Sequence, residues 1–379
     1  MIKILFIAMP SIHFIRWIEN LENSNYKLYW FDILDRDSTD LSTSIHKFTN
    51  WKIRKRKSFK GEYLLSNNFP NLYNFVKPLL ENTENEYLEY IIKTINPDII
   101  HSFEMQSCSY PILKTMNKYP KINWIYSCWG SDLFYYRNLT AHKNKIIKVL
   151  KRVNFLITDC NRDYFIAKEL NFKGQFKGVI PGGSGYELDK FSPFYIPISE
   201  RKLILIKGYQ HNFGRAIEVV KSIQNCLNEL SRYQIVLFST HQIVIDYVKK
   251  NNLNFTIYNH NQLSQLEVMK LMGKSLIYIG NSISDGMPNT LLESIVMGSF
   301  PIQSNPGLVS EEIIENKKNG LIINDPYNND EIIKCILFAI NNFEMVKQAA
   351  VINSEIAKNR LEYNFIKDKI NNIYSSIYK

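Results

Sequence analysis

The sequence predicts an α/β protein: two Rossmann-like, doubly wound domains facing a cleft. Three observations carry this. Short apolar runs alternate with amphipathic stretches along most of the chain, the pattern of parallel sheet with crossover helices. The 379 residues suit two domains of ordinary size better than one. A Gly/Pro-rich stretch at 178–197 divides the alternation into two halves. The expected division is an N-terminal domain at 1–180, a linker at 181–200, a C-terminal domain at 201–360, and a last helix at 361–379 packing back on the N-terminal domain.

In the first half, Ile2–Ile7 reads as a strand and His13–Leu21 as a helix. Leu28–Ile33 is a strand, followed by a long basic segment. Glu86–Ile95 is a helix, Asp98–His101 begins a strand, Tyr110–Asn117 is a helix and Asn123–Ser127 a strand. Lys143–Lys151, Phe155–Thr158 and Asp163–Leu170 read as helix, strand and helix. The second half opens with the strand Lys202–Ile206 and the helix Arg215–Leu230, whose apolar residues recur at helical spacing. Strands follow at Gln234–Phe238, Phe255–Tyr258, Leu276–Ile279, Phe300–Gln303 and Leu321–Ile323. Helices are expected at His241–Lys250, Gln265–Met272, Thr290–Met297, Leu308–Glu315, Asp330–Asn341 and Tyr363–Tyr378. Gly298 supplies a stop after Met297.

The formal net charge is +10. Residues 1–180 hold 26 basic and 17 acidic side chains, so +9; residues 181–379 hold 20 and 19, so +1. Residues 46–60 carry seven Lys/Arg and no acid, and residues 137–152 carry six and no acid. Such concentration points to an anionic partner or to a solvated basic surface. No apolar run reaches the roughly 18–20 residues of a membrane-crossing helix. The first residues run into His13–Leu21 without a small-residue cleavage site, which argues against a signal peptide. Five scattered Cys without C-x-x-C argue against a zinc site or disulfide framework and make a reducing cytoplasm the expectation.

In open α/β sheets ligands bind beyond the carboxyl ends of the strands. The segment Ser284–Gly298 (SDGMPNTLLESIVMG) follows the strand Leu276–Ile279 and fits such a site. Gly286 gives the turn room, with Met287 beside it. Pro288 and Asn289 precede the helix, and Asn289 is a suitable N-cap. The first-turn amides of Asn289, Thr290 and Leu291 are candidates to hold a diphosphate. Glu293, one turn in, is placed to accept hydrogen bonds from a ribose diol. Asp285, eight residues earlier, stands at the loop mouth, where sugar hydroxyls would lie.

SDGMPNTLLES, followed by GSFPIQSNPGLVSEEIIENKKNGLIIND, resembles the donor-binding segment of family 4 glycosyltransferases, retaining enzymes of the GT-B fold. That family's signature is Glu, seven residues, Glu; here the second is Glu293 and Asp285 stands at the first place. The resemblance implies a nucleotide-sugar donor, UDP- or GDP-linked, as co-substrate, with no separate cofactor and no metal. It implies a basic pair that neutralises the donor diphosphate; Lys207 and Arg215 are the candidates. Family members often carry His-Gly-Ser-Asp where this chain has Trp129, Gly130, Ser131 and Asp132. Gly130 permits close backbone approach, and Asp132 either binds hydroxyls or caps a helix. His101, Glu104, His13 and Arg16 follow strands and complete the acceptor-side candidates.

Two other motifs weigh less. Asp35-Arg36-Asp37 matches a D-x-D metal motif, which arises readily by chance. Gly182-Gly183-Ser184-Gly185 lacks G-x-G-x-x-G spacing and reads as a hinge. Within the basic segment, Phe48, Trp51 and Phe59 lie among Lys52, Arg54, Lys55, Arg56 and Lys57, as suits contact with an anionic membrane surface.

The expected function is therefore sugar transfer from a nucleotide-sugar donor to a glycan or lipid-linked acceptor in surface polysaccharide or glycan assembly. The enzyme would be cytoplasmic and peripheral at the inner membrane face, with no nucleic-acid partner. The alternatives are a non-catalytic module of the same fold that binds a glycan or partner, and a same-fold nucleotide-sugar epimerase. Charge alone motivates a nucleic-acid-binding reading.

Overall fold

A computed structural model describes residues 1–22, 24–36 and 45–378. Asp37 of the D-x-D match lies outside the described residues. The chain forms two compact units: Met1–Thr158 with Tyr164–Gly178, and Asp159–Asp163 with Val179–Lys379.

The first unit is built on a seven-stranded sheet of β1 (Ile2–Ala8), β2 (Tyr26–Asp32), β3 (His46–Phe48), β4 (Ile99–Phe103), β5 (Asn123–Ser127), β6 (Phe155–Thr158) and β7 (Gln175–Val179). The order is β3-β2-β1-β4-β5-β6-β7. The second unit has β8 (Leu203–Lys207), β9 (Gln234–Thr240), β10 (Thr256–Asn259), β11 (Ser275–Gly280), β12 (Phe300–Ser304) and β13 (Leu321–Ile323), in the order β10-β9-β8-β11-β12-β13. The registers are parallel, as in Leu5↔Ile100 and Tyr278↔Leu205. Helices cover both faces, so central strands such as β1 and β11 are buried and read as near-continuous apolar runs.

The helices are α1 (Ile12–Glu19), α2 (Glu62–Asn68), α3 (Pro70–Leu80), α4 (Glu84–Ile95), α5 (Tyr110–Lys118), α6 (Ser131–Phe134), α7 (Thr140–Arg152), α8 (Asn161–Glu169), α9 (Leu188–Phe191), α10 (Ala216–Asn225), α11 (Gln242–Lys250), α12 (Gln265–Lys274), α13 (Asn289–Val296), α14 (Asn329–Asn341), α15 (Phe343–Ile356) and α16 (Tyr363–Tyr378). α4 begins two residues before its expected start because Thr83 and Glu86 form a capping box. The helix expected at Leu308–Glu315 is two short 3₁₀ turns, broken where Leu308 adopts φ +64°. The segment 361–379, expected on the N-terminal domain, belongs to the second unit. Its Tyr363 amide donates to the Tyr186 carbonyl, and the Tyr186 amide donates to Leu361.

Each sheet reverses its strand order once: between β1 and β4, and between β8 and β11. The crevice outside the carboxyl ends at such a reversal is where this architecture holds ligands. The segments after β8 and β11 carry Lys207, Arg215 and 284–293.

Candidate functional site

In the second unit the residues singled out from sequence gather at the β8/β11 reversal. Lys207 ends β8, and its Nζ stands 4.5 Å above the Tyr209 ring. Burial pushes the Asp285 carboxyl up, while the nearby Lys207 ammonium, the Gly286 amide and Arg162 oppose that shift. The Gly286 amide donates to Asp285 Oδ1 at 3.0 Å. Burial also raises the Tyr209 phenol, with the Asp285 and Glu293 charges adding to it. Lys207, Tyr209, Asp285 and Glu293 thus form one electrostatic group. Glu293 is buried in the second turn of α13, where Gln265 donates to its Oε1 at 3.4 Å.

Several local expectations need correction. The N-cap of α13 is Pro288, and Asn289 is its first helical residue without a capping bond. The Leu291 amide turns back onto the Pro288 carbonyl at 3.0 Å, so it is spent inside the turn. Arg215 is not an open charge. Its guanidinium donates to the carbonyls of His211, Asn212 and Gly214 and to Tyr327 Oη, stapling the loop after β8. Lys207 and Arg162 are the cations that act on the Asp285 carboxyl.

The loop 285–287 is braced by residues the sequence reading missed. Asp159 Oδ2 accepts the Met287 amide at 3.1 Å. Arg162 donates to the carbonyls of Asp285 (2.7 Å) and Pro306 (2.6 Å). A Cβ on Gly286 would fall on the Asp159 carboxylate and displace it from the Met287 amide. Asp159, Cys160 and Asp163 bring ligand-type atoms within 4.8 Å of one another. Arg162 sits in that group, 2.8 Å from Asp163, and the Cys160 thiol, pushed far up by burial, donates to Asp163.

Also missed was a ring cluster at the ends of β8, β9 and β10. His211, His241 and His260 surround Tyr209 at 5.4, 5.1 and 5.4 Å between centroids. Burial first, then neighbouring His241, holds His211 and His260 below the usual imidazole value. Nothing local in the sequence links three histidines spread over fifty residues; only the strand ends do.

The first unit has its own cluster at the β1/β4 reversal. Gly130 takes φ +93°, which a side chain would resist. Asp132 proves to be a structural knot. It accepts from Tyr126 Oη (2.6 Å), Cys128 Sγ (3.1 Å) and the amides of Trp129 (3.0 Å) and Met105 (3.1 Å). Its carboxylate thus ties the 126–132 loop to Met105. Ser131 opens α6 beside it. His101 is fully buried, with Nε2 2.7 Å from Ser127 Oγ. Arg16 is likewise buried in α1. Glu104, at φ +67°, accepts the Gln106 and Ser107 amides, and burial followed by the Asp132 charge raises its pKa to about 7. His13 packs on Trp129 at 5.2 Å, giving the cluster an aromatic edge.

The basic segment is partly consumed by structure. Trp51 and Phe48 are core residues, and Trp51 Nε1 donates to the Asp32 carbonyl. Asp35 accepts the amides of Trp51 and Lys52, so its carboxylate has a capping use. Arg54 forms a bidentate pair with Glu62, and Lys55 bonds Glu86. Lys52, Arg56 and Lys57 remain exposed.

Comparison with known families agrees with this geometry. Residues 212–354 match the model of "Glycosyl transferases group 1", and residues 79–160 that of "Glycosyl transferase 4-like". Together the two matches support a glycosyltransferase of the GT-B fold, family 4-like. Sucrose-phosphate synthase from Thermosynechococcus elongatus superposes with a TM-score of 0.72 at 12% identity, covering 100% of this chain and 99% of that one. Anabaena HepE in complex with UDP and glucose gives 0.67 at 12%, covering 99% and 100%. A Rickettsia africae glycosyltransferase gives 0.64 at 17%, covering 100% and 99%. Comparison with curated protein sequences gave no significant match. Asp285 and Glu293 lie within the matched residues 212–354.

Proposed function

We propose that this glycosyltransferase moves a sugar, with retention, from a UDP- or GDP-linked donor to a glycan or lipid-linked acceptor in surface polysaccharide or glycan assembly. The observation that carries it is the gathering of Lys207, Asp285 and Glu293 at the reversal of the second sheet. Glu293 would hold the ribose diol. Lys207 and the Asn289 and Thr290 amides of α13 would face the diphosphate, where negative charge grows as the leaving group departs. Asp285 would meet donor-sugar hydroxyls. The Tyr209–histidine rings offer flat faces for the donor's base. The UDP held by HepE is one precedent for the donor class.

In the proposed step the acceptor hydroxyl oxygen bonds the anomeric carbon as the bond from that carbon to phosphate oxygen breaks. The leaving phosphate oxygen takes the acceptor's proton, and nucleoside diphosphate departs. Such same-face transfer needs no side-chain nucleophile and no metal, so EDTA should leave the rate unchanged. The Trp129–His13 edge of the first unit is proposed to receive acceptor. The protein would work in the cytoplasm at the inner membrane face.

The test is release of UDP or GDP from a panel of nucleotide sugars, with and without lipid-linked acceptor. Glu293→Ala should lower transfer about a hundredfold or more, as expected for losing a charged hydrogen-bond pair to substrate. Near-normal transfer by that variant would remove the core of the proposal.

A further inference from the structure

We propose that α2 and α3, with the basic turn before them, form a docking surface for an anionic lipid bilayer. On α3, Leu72, Phe75 and Leu79 recur at helical spacing and share one face. All three are more than half exposed, and Phe75 is 81% exposed. Tyr63 and Leu64 of α2, and Phe69 between the two helices, are exposed as well. Exposed apolar side chains gathered along one helix face mark an interaction site more often than a bare surface.

The opposite side of the pair is pinned. Tyr73 Oη donates to Glu62, which also takes both terminal nitrogens of Arg54. Lys55 bonds the Pro78 carbonyl, and the Lys55 and Arg56 amides bond the Leu80 carbonyl. The apolar face is therefore presented on a fixed support. Those same bonds set Arg56 beside the Leu79 end of α3, while Phe59 and Lys60 lead directly into α2. Arg56, Lys57 and Lys60 are exposed, and among the described residues none has a carboxylate partner.

Charge decides the occupant. An apolar face rimmed by unpaired cations complements the interface of an anionic bilayer, where rings enter the headgroup region and cations meet phosphates. A second copy of the chain is the poorer fit. A two-fold contact sets a patch against itself and would bring Arg56, Lys57 and Lys60 against their own images. Among the described residues no single helix is long and apolar enough to cross a membrane. The surface would serve the lipid-linked acceptor proposed above, and it rests on that reading for its purpose; lipid contact itself is measured without any transfer reaction.

The experiment is flotation of the full chain with vesicles of phosphatidylcholine alone or mixed with phosphatidylglycerol, with no donor or acceptor present. The wild type should float with the mixed vesicles only. Replacing Arg56, Lys57 and Lys60 together by Ala should weaken partitioning about a hundredfold. Phe75→Ser with Leu79→Ser should weaken it at least tenfold. Both variants alter exposed side chains and should keep the wild-type melting temperature. Emission of Phe75→Trp should shift to the blue on mixed vesicles alone. Wild type that floats with neither vesicle, or a Phe75/Leu79 variant that floats unchanged, overturns the proposal. So does a dimer seen by light scattering and abolished by Phe75→Ser with Leu79→Ser, which would assign the face to a second copy. Flotation without nucleotide release from any donor would refute the transferase reading alone.

Discussion

The two sheets reverse their strand order in the same way yet spend their polar residues differently. At the β1/β4 reversal, His101 and Asp132 turn inward and are used up by Ser127, Tyr126, Cys128 and backbone amides. At the β8/β11 reversal, Lys207 opposes the upward shift that burial gives Asp285, and Asp285 and Glu293 both act on Tyr209. One reversal has a hydrogen-bonded wall with aromatic edges; the other sets a cation, Lys207, against the Asp285 carboxyl. The same architecture therefore carries scaffold chemistry in one unit and charge chemistry in the other.

Four substitutions sharpen that contrast. Lys207→Ala should lower transfer by roughly 10²–10³-fold, the usual cost of removing one positioned electrostatic donor, with little change in thermal midpoint. Equal losses of stability and activity would place Lys207 with the scaffold residues. Asp132→Ala should lower stability by about 3 kcal/mol, because several buried donors lose their acceptor together. A small change in urea midpoint would mean that solvent satisfies those donors.

Glu104 tests pH dependence. Its pKa of about 7 lies above the roughly 4.3 of an unfolded Glu. The folded state holds that proton longer, so the stabilising contribution is complete below about pH 4.3 and is lost as pH rises through 7. Glu104→Gln cannot ionise. Its stability relative to wild type should therefore rise by about 3 kcal/mol between pH 4.5 and pH 8. Urea unfolding at the two pH values checks this, and a constant difference would deny that Glu104 keeps its proton. The smallest effect is expected from Tyr126→Phe, about 1 kcal/mol for one hydrogen bond of the Asp132 knot. A double cycle with Asp132→Ala should show the two effects to be coupled.

Much of the fold was legible because buried parallel strands announce themselves as apolar runs. β8, β11 and β12 could hardly be read otherwise. β3 and β7 were not legible. β3 is three residues inside a basic segment, and β7 (QFKGV) is an edge strand with mixed polarity. α2 and α3 were hidden by Pro70 and Pro78 and by the outward placement of Tyr63, Leu64, Leu72, Phe75 and Leu79. The donor segment was legible because its parts lie within one loop and one helical turn. Asp159 and Arg162 were not, since they reach that loop from 123–128 positions earlier without any local pattern. Trp51 misled because an aromatic among lysines reads as interfacial, whereas its indole faces the core.

The five residues Asp159–Asp163 belong to the second unit while the chain on both sides of them belongs to the first. During synthesis the first sheet can assemble early, but these residues must wait for a loop translated more than a hundred codons later. Until then Arg162 and Asp159 lack the carbonyls and amide they will hold. A fragment beginning at residue 201 would meet the converse problem, a donor loop without its brace. The two units are thus a single inheritance: neither can be excised at one cut, nor exchanged with a relative's counterpart, without carrying this short stretch along.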